Sequence, residues 1–316
     1  MPPQPTVAIV TDSASSIPLD LRRRYNIQVI PFWVQMGAET YRAGVDLDEK
    51  TFFARLRADP DLSVSTAVPP LSRFVEIYER VSQWAQGIVA IHIAGKQSGT
   101  CDAAELAGRE SPIPVAVIDS GSTGMAEGFV VLEAARAAAE GASLDEVADR
   151  ARSVIPNVNL IALLESVEYA LKGGRLSTAA GRVGGFLRIQ PLIQVKENKV
   201  GISGQVRRHS HGLRVLTDKI TGDVGEDPVH LTVHFAEDEE EGRTLLEVLK
   251  GKLNCVEAYL ARVPVALGVH AGPGAIGVAY YVERENVRLV EQLERLGSQA
   301  REAIRSRLPT LPGREG

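Results

Sequence analysis

The sequence predicts a two-domain α/β protein. An N-terminal parallel sheet has helices on both faces, and a mixed α+β sheet domain follows. Three observations carry this. Short, wholly apolar runs alternate with helical stretches in the first half, the pattern of strands buried on both faces. Hairpin and amphipathic segments replace that pattern in the second half. Small, hydroxyl-rich loops follow the apolar runs, on the strand-end edge where open α/β sheets bind ligands.

The first half repeats one unit. "VAIV" (Val7–Val10) reads as a strand, then come "TDSASS" and a helix through "IPLDLRRRY". "IVAIHI" (Ile88–Ile93) is a second strand, followed by "AGKQSGT" and a helical "CDAAELAG". "VAVI" (Val115–Ile118) is a third, followed by "DSGSTG" and a helix through "EGFVVLEAARAAAEG". Gly141 suits that helix's C-terminus. "SLDE" (Ser143–Glu146) is a capping box opening the next helix. The first domain is expected to span residues 1–156.

The second domain is expected over residues 157–316. "NLIALL" reads as a strand and "ESVEYALKGG" as a short helix ended by glycines. "RLSTAAGRVGGFL" reads as helical. "RIQPLIQV" and "KVGISGQV" flank Glu197-Asn198 and read as a hairpin. "HLTVHFA" is a strand, and "EDEEEGRTLLEVLKGKL" is a helix whose acidic first turn suits the dipole. "VEAYLARV", "VALGVHA" and "AIGVAYYV" read as further strands. From about residue 284 a helical extension is expected. There Leu289, Leu293, Leu296, Ala300, Ile304 and Leu308 form one apolar stripe, suited to packing or self-association.

Composition narrows the function. The 316 residues are 44 % apolar and 24 % charged, with a net charge of -5 and a pI near 5.8. That balance offers no electrostatic attraction for nucleic acid or an anionic membrane. The opening "MPPQPTVAIV" has no signal-peptide pattern and no run has membrane-spanning length, so a cytoplasmic location is expected. The two cysteines, Cys101 and Cys255, are far apart and suggest no disulfide framework. No cofactor and no metal are expected. His209 and His211 lack ligands at zinc spacing, and His230 and His234 share a strand face without an evident carboxylate.

"GVHAGPGAIGVAY" (Gly268–Tyr280) contains the letters G-x-G-x-x-G. A dinucleotide loop would open a helix within a βαβ unit. Here Pro273 interrupts the motif, and "AIGVAYYV" is β-like. The glycines instead read as a tight turn allowing close approach, with His270 beside it as a candidate donor to an anion.

Taken in order, these stretches resemble the DegV family of bacterial fatty-acid-binding proteins, to about Tyr281. "VTDSASSIP" is similar to the family's opening T-D-S stretch. "STAVPP" resembles its T-S-Q-P segment, with Thr66 and Pro69 kept. "IHIAGKQSGT" resembles its S-G-T loop, "VIDSGSTGMAEG" its D-S stretch and "LKGGRLS" its G-G-R-I-S motif. "LRIQPLIQVKENKV" and "VHAGPGAIGVAY" are similar to the remaining two. The resemblance implies two domains clasping a long-chain fatty acid. Its acyl chain would lie in an apolar tunnel and its carboxylate would meet Thr66, Ser98 and His270. Gly99, Gly272 and Gly274 would shape the surrounding loops. A separate kinase protein would phosphorylate the bound acid to acyl phosphate, with Arg175 and Arg207 associated with that step. The protein itself would be a lipid-binding protein and no enzyme. Gly95, Ala67, Val68, Gly124, Ala126 and Gln190 depart from the family pattern.

A stand-alone phosphotransferase or hydrolase using the polar strand-end loops is the alternative. It lacks a G-x-x-x-x-G-K-[ST] loop, a G-x-S-x-G elbow and paired metal carboxylates.

Overall fold

The computed structural model describes residues 6–176 and 189–284, and the elements below lie within Met1–Val282. Two expected features fall outside the described residues: most of the helix read over "RLSTAAGRVGGFL", and the C-terminal apolar stripe. The chain has two domains, an N-terminal parallel sheet with helices and a C-terminal mixed sheet.

The parallel sheet contains β1 (Val7–Asp12), β2 (Gln28–Ile30), β6 (Gly87–His92) and β7 (Val115–Asp119), in the order β2-β1-β6-β7. Val7 pairs with Gly87, and Ile88 with Val115. Both central strands are buried at every position, which is why they read as unbroken apolar runs. On one face, α3 (Leu71–Val81) brings Phe74, Ile77 and Tyr78 onto Val10, Ile88 and Ala90. Helix α4 (Thr100–Gly108) lies beside α3 and adds Ala104 and Ala107 to that cluster. On the other face lie α5 (Met125–Ala139) and α6 (Leu144–Val154). The capping box before α6 forms as expected. Ser143 Oγ accepts from Glu146 N, and Glu146 Oε2 accepts from Ser143 N.

Helix α5 is mostly apolar because it is covered on nearly every side. Twelve of its fifteen residues are buried, and it packs on β1 and β6 of one sheet and on β8 and β13 of the other. Such a helix belongs in the interior of a domain pair. The second sheet contains β8 (Val158–Leu163), β9 (Gln190–Lys196), β10 (Lys199–Val206), β11 (Val229–Phe235), β12 (Cys255–Arg262) and β13 (Ile276–Val282). Its order is β10-β9-β8-β13-β11-β12, antiparallel except for β11 with β12. The β9–β10 turn is Glu197-Asn198, both left-handed (φ 49° and 63°), the geometry of a two-residue hairpin. Helices α8 (His209–Val224) and α9 (Glu239–Lys250) contribute Leu216, Ile220, Leu245 and Leu249 to the other side's core.

Two features were not evident from residue patterning. Strands β3 (Trp33–Met36), β4 (Glu39–Arg42) and β5 (Val64–Ala67) form a small antiparallel sheet, order β4-β3-β5. It is accompanied by α2 (Glu49–Ala58) with Phe52 and Phe53 buried; α1 (Leu19–Arg24) and α7 (Glu168–Lys172) are shorter. The second is a correction. "VALGVHA" is no strand but the helix α10 (Val265–Ala271). Its valines suggested β structure, yet Val265 and Val269 lie four apart on one buried helical face. Tertiary packing overrode a weak local preference. The glycine motif therefore follows a helix, which removes the dinucleotide geometry altogether.

Gly128 offers a test of how tightly α5 is held. A Cβ there would lie 2.5 Å from the Ser15 carbonyl oxygen and 2.6 Å from Met125 Sδ. Helix propensity favours alanine by up to about 1 kcal/mol, but overpacking costs about 1–3 kcal/mol. Gly128→Ala is expected to lower stability, read as a reduced denaturant midpoint. A raised midpoint would mean that propensity wins.

Candidate functional site

An apolar cavity lies against the mixed sheet and α10, with β5 of the small sheet and the loops after β6 and β7 at its edge. Its walls include Phe32, Leu160 and Ala162 of β8, Ile193 and Val195 of β9, Ile276 of β13, and Ala266 and Leu267 of α10. Five polar residues line it where β5, the loop after β6, the segment after α7 and α10 contribute: Thr66, Gln97, Ser98, Arg175 and His270.

Thr66 reaches the cavity from β5, whose register fixes it opposite Val34. His270 sits in the last turn of α10, and its Nε2 lies 3.1 Å from Thr66 Oγ1. That bond joins residues 204 positions apart. Two glycines let the ring occupy this position. A Cβ on Gly268 would meet the rings of Phe52 and Phe53 at 2.7 and 2.8 Å, and a Cβ on Gly173 would lie 2.1 Å from His270 Nδ1. Gly173 has φ -74°, so it is needed there for space rather than for conformation. Its role escaped the sequence reading, which took the glycine pair only as a helix end.

Ser98 precedes Gly99, the N-cap of α4, and its Oγ lies 2.7 Å from Thr100 Oγ1. No side chain caps α4, so its first-turn amides and positive dipole end stand beside Ser98. Arg175 donates through Nε to the Gln97 carbonyl at 3.2 Å and through Nη1 to the Gly173 carbonyl at 2.8 Å. It spans the α4 loop and the end of α7 and carries a positive charge into the cavity wall. Among the described lining residues there is no aspartate or glutamate. Burial pushes the His270 ring down to about 4, with Arg175 adding to the effect, so the ring is neutral near pH 7.

The structure thus brings Thr66, Ser98, Arg175 and His270 to one cavity. Gly99, Gly272, Gly274 and Arg207 are not among its lining residues. Gly272 (φ 73°) and Gly274 (φ 70°) are both left-handed. The amide of Gly272 donates to Gly268 O, and that of Gly274 to Glu237 Oε2 at 3.1 Å. Glu237 and Glu165 in turn accept from Arg57 of α2, which pins the turn. Arg207 is exposed, directly after β10.

The histidine readings need one correction. His230 does have a carboxylate, because Glu257 on neighbouring β12 accepts at 2.8 Å, a pairing that strand order alone creates. His209 bonds Gln190 and Glu241. Among the described residues no group of three ligands could hold a metal, and no helix is long and apolar enough to cross a membrane. Both cysteines are free. His234 and Thr123, also on the cavity wall, were not picked out by sequence. The 111 positions between them hide that a strand and a distant helix start converge.

Comparison with known proteins bears on what such a cavity does. The family model described as "Uncharacterised protein, DegV family" matches residues 6–283. The chain belongs to the DegV family. A DegV domain-containing protein of Streptomyces coelicolor is 30 % identical over 274 residues, covering 86 % of this chain and 97 % of that one. The crystal structure of DegV from Bacillus subtilis, described as a fatty acid binding protein, superposes with a TM-score of 0.79 at 26 % identity, covering 88 % of this chain and 100 % of that one. A DegV family protein from Thermus thermophilus, described by its fatty acid binding, gives a TM-score of 0.81 at 27 % identity, covering 87 % and 99 %.

The buried rings of this DegV protein make a pH prediction. Burial brings His234 as well as His270 from 6.5 to about 4. Between those values the unfolded chain binds more protons than the folded one, so stability rises with pH from about 4 to about 6.5 and is flat above. Each ring contributes roughly 3 kcal/mol across that window. Histidine ring NMR should show both neutral at about pH 5.5, inside the window, and denaturation should show the slope. A His270 ring titrating near 6.5 would contradict the burial argument.

Proposed function

We propose that this protein binds a long-chain fatty acid. The acyl chain occupies the apolar cavity, and Thr66, Ser98 and His270 hold the carboxylate where the two domains meet, on either side of a boundary near Pro156. The carrying observation is chemical. Among its described lining residues the apolar cavity presents one cation, Arg175, with hydroxyls, an imidazole and a helix start, and no acid. That combination fits an anionic head on an apolar tail. A buried carboxylate is costly without several donors. The Thr66 and Ser98 hydroxyls, the single N–H of a neutral His270 and the uncapped amides of α4 supply them. Each buried methylene adds roughly 0.8 kcal/mol, so the chain itself supplies most of the affinity. Gly99, Gly272 and Gly274 shape the turns beside these groups. The fatty acid binding described for the Bacillus and Thermus relatives supports the same reading.

The protein acts as a carrier without turnover of its own. It presents the carboxylate to a separate kinase that forms the acyl phosphate. Arg175, close to the head group, stabilises transferring phosphate, and exposed Arg207 contacts the partner.

Native mass spectrometry of the purified protein should show an adduct of fatty-acid mass, lost on delipidation and restored by titration. A protein that stays apo on titration would sink the proposal. His270→Ala should weaken binding of the acid more than that of the matching alcohol, and Ser98→Ala should cost the acid about tenfold. Equal losses for acid and alcohol would place His270 away from the carboxylate.

A further inference from the structure

The loop that carries Ser98 is fixed from outside the cavity, amide by amide. After β6, the Ile93 amide donates to Asp12 Oδ2 at 3.1 Å and the Ala94 amide to the Ser122 carbonyl at 2.8 Å. The Gly95 amide donates to Asp119 Oδ1 at 3.0 Å, and the Lys96 amide to Asn198 Oδ1 at 3.2 Å. The amides of Gln97 and Ser98 both turn back to the Ala94 carbonyl. Every N–H from Ile93 to Ser98 is thereby satisfied before α4 begins. Of these acceptors, only Asn198 belongs to the mixed sheet, as the second residue of the β9–β10 turn.

Asn198 meets this edge in two further places. Its Nδ2 donates to Asp119 Oδ2 at 2.8 Å, and its own amide donates to the Gly121 carbonyl at 2.8 Å. The Asp119 carboxylate and the Asn198 carboxamide thus form one unit that holds two adjacent loop amides, those of Gly95 and Lys96. A carboxamide can do this because it sets an acceptor beside a donor, where a carboxylate has acceptors only. Asparagine also tolerates the left-handed backbone of this turn position (φ 63°). The approach is close on both sides. A Cβ on Gly95 would lie 2.8 Å from Asp119 Oδ2, and one on Gly121 would lie 3.3 Å from Asn198 N.

Neither Asn198 nor Asp119 is among the cavity's lining residues, whereas Ser98, two positions after Lys96, is. The stretch between is held again where Arg175 Nε donates to the Gln97 carbonyl. A hydroxyl bonds a carboxylate well only over a narrow range of distance and angle, so a loop free to shift would lose the contact while keeping the serine. Resting on the fatty-acid reading above, we infer that Asn198 is a positioning residue for the head group. From the hairpin of the mixed sheet it sets, together with Asp119, the loop that aims Ser98 at the carboxylate.

Affinities of delipidated protein for octadecanoic acid and octadecanol test this. Asn198→Gly removes the side chain and keeps the left-handed turn. It should weaken binding of the acid about tenfold, the worth of roughly one hydrogen bond, and leave that of the alcohol nearly unchanged. In a Ser98→Ala background the same substitution should add little, because the two losses share one cause. Asn198→Asp sets a second carboxylate against Asp119 and should weaken the acid at least as much. Adding Asp119→Asn exchanges donor and acceptor across the pair, keeps an acceptor for both loop amides, and should recover most of the affinity. The inference is overturned if Asn198→Gly leaves acid affinity unchanged or costs acid and alcohol equally. It is also overturned if that loss adds in full to the loss from Ser98→Ala, or if the exchanged pair recovers nothing. In each of these cases the fatty-acid site stands. If the unaltered protein binds neither acid nor alcohol, the fatty-acid reading fails and takes this one with it.

Discussion

The hydrogen bond between Thr66 and His270 ties the small N-terminal sheet to the C-terminal domain beside the cavity. Almost every local choice around it serves to let those two side chains meet. Helix α10 must lie flat on Phe52 and Phe53, which only a glycine at 268 permits. The ring must lie against the end of α7, which only a glycine at 173 permits. The chain must then turn sharply away, which Gly272 and Gly274 do in left-handed conformations that cost other residues strain. Arg57, held by Glu165 and Glu237, fixes the far side of that turn. A polar contact between distant segments is thus maintained by the absence of side chains around it.

Electrostatics follow from the same packing. Burial keeps His270 neutral and leaves Arg175 as the charge that defines the cavity's sign. The guanidinium is held in place by two backbone carbonyls rather than by a carboxylate, so its charge is not cancelled locally. An interior whose described lining carries one cation, no acid and mostly apolar side chains is poorly matched to cations and well matched to an amphiphilic anion.

Where the sequence could be read, it was read from repetition. The unbroken apolar strands β1 and β6, the Ser143–Glu146 capping box and the Glu197-Asn198 turn are local signals whose physics acts within a few residues. The ordered motifs added Thr66, Ser98, Arg175 and His270, which the fold does bring to one cavity. Two misreadings and one omission have a common cause. Val265 and Val269 looked like strand residues until Phe52 and Phe53 claimed them for a helical face. His230 looked unpartnered until strand order placed Glu257 beside it. His234 and Thr123 carried no signal, because a strand residue and a loop residue 111 positions apart have no spacing to recognise.

The sequence by itself determined the alternation of buried strands and helices, the turns and the caps, because those depend on propensity and periodicity over short distances. It also limited the chemistry, through a mildly acidic composition without metal or nucleotide spacing. Only the tertiary structure decided that "VALGVHA" is a helix, that the glycines make room for an imidazole, and that Glu257 meets His230. Those outcomes depend on which distant surfaces compete for the same space, and close packing between non-neighbouring segments leaves no local trace in the order of residues.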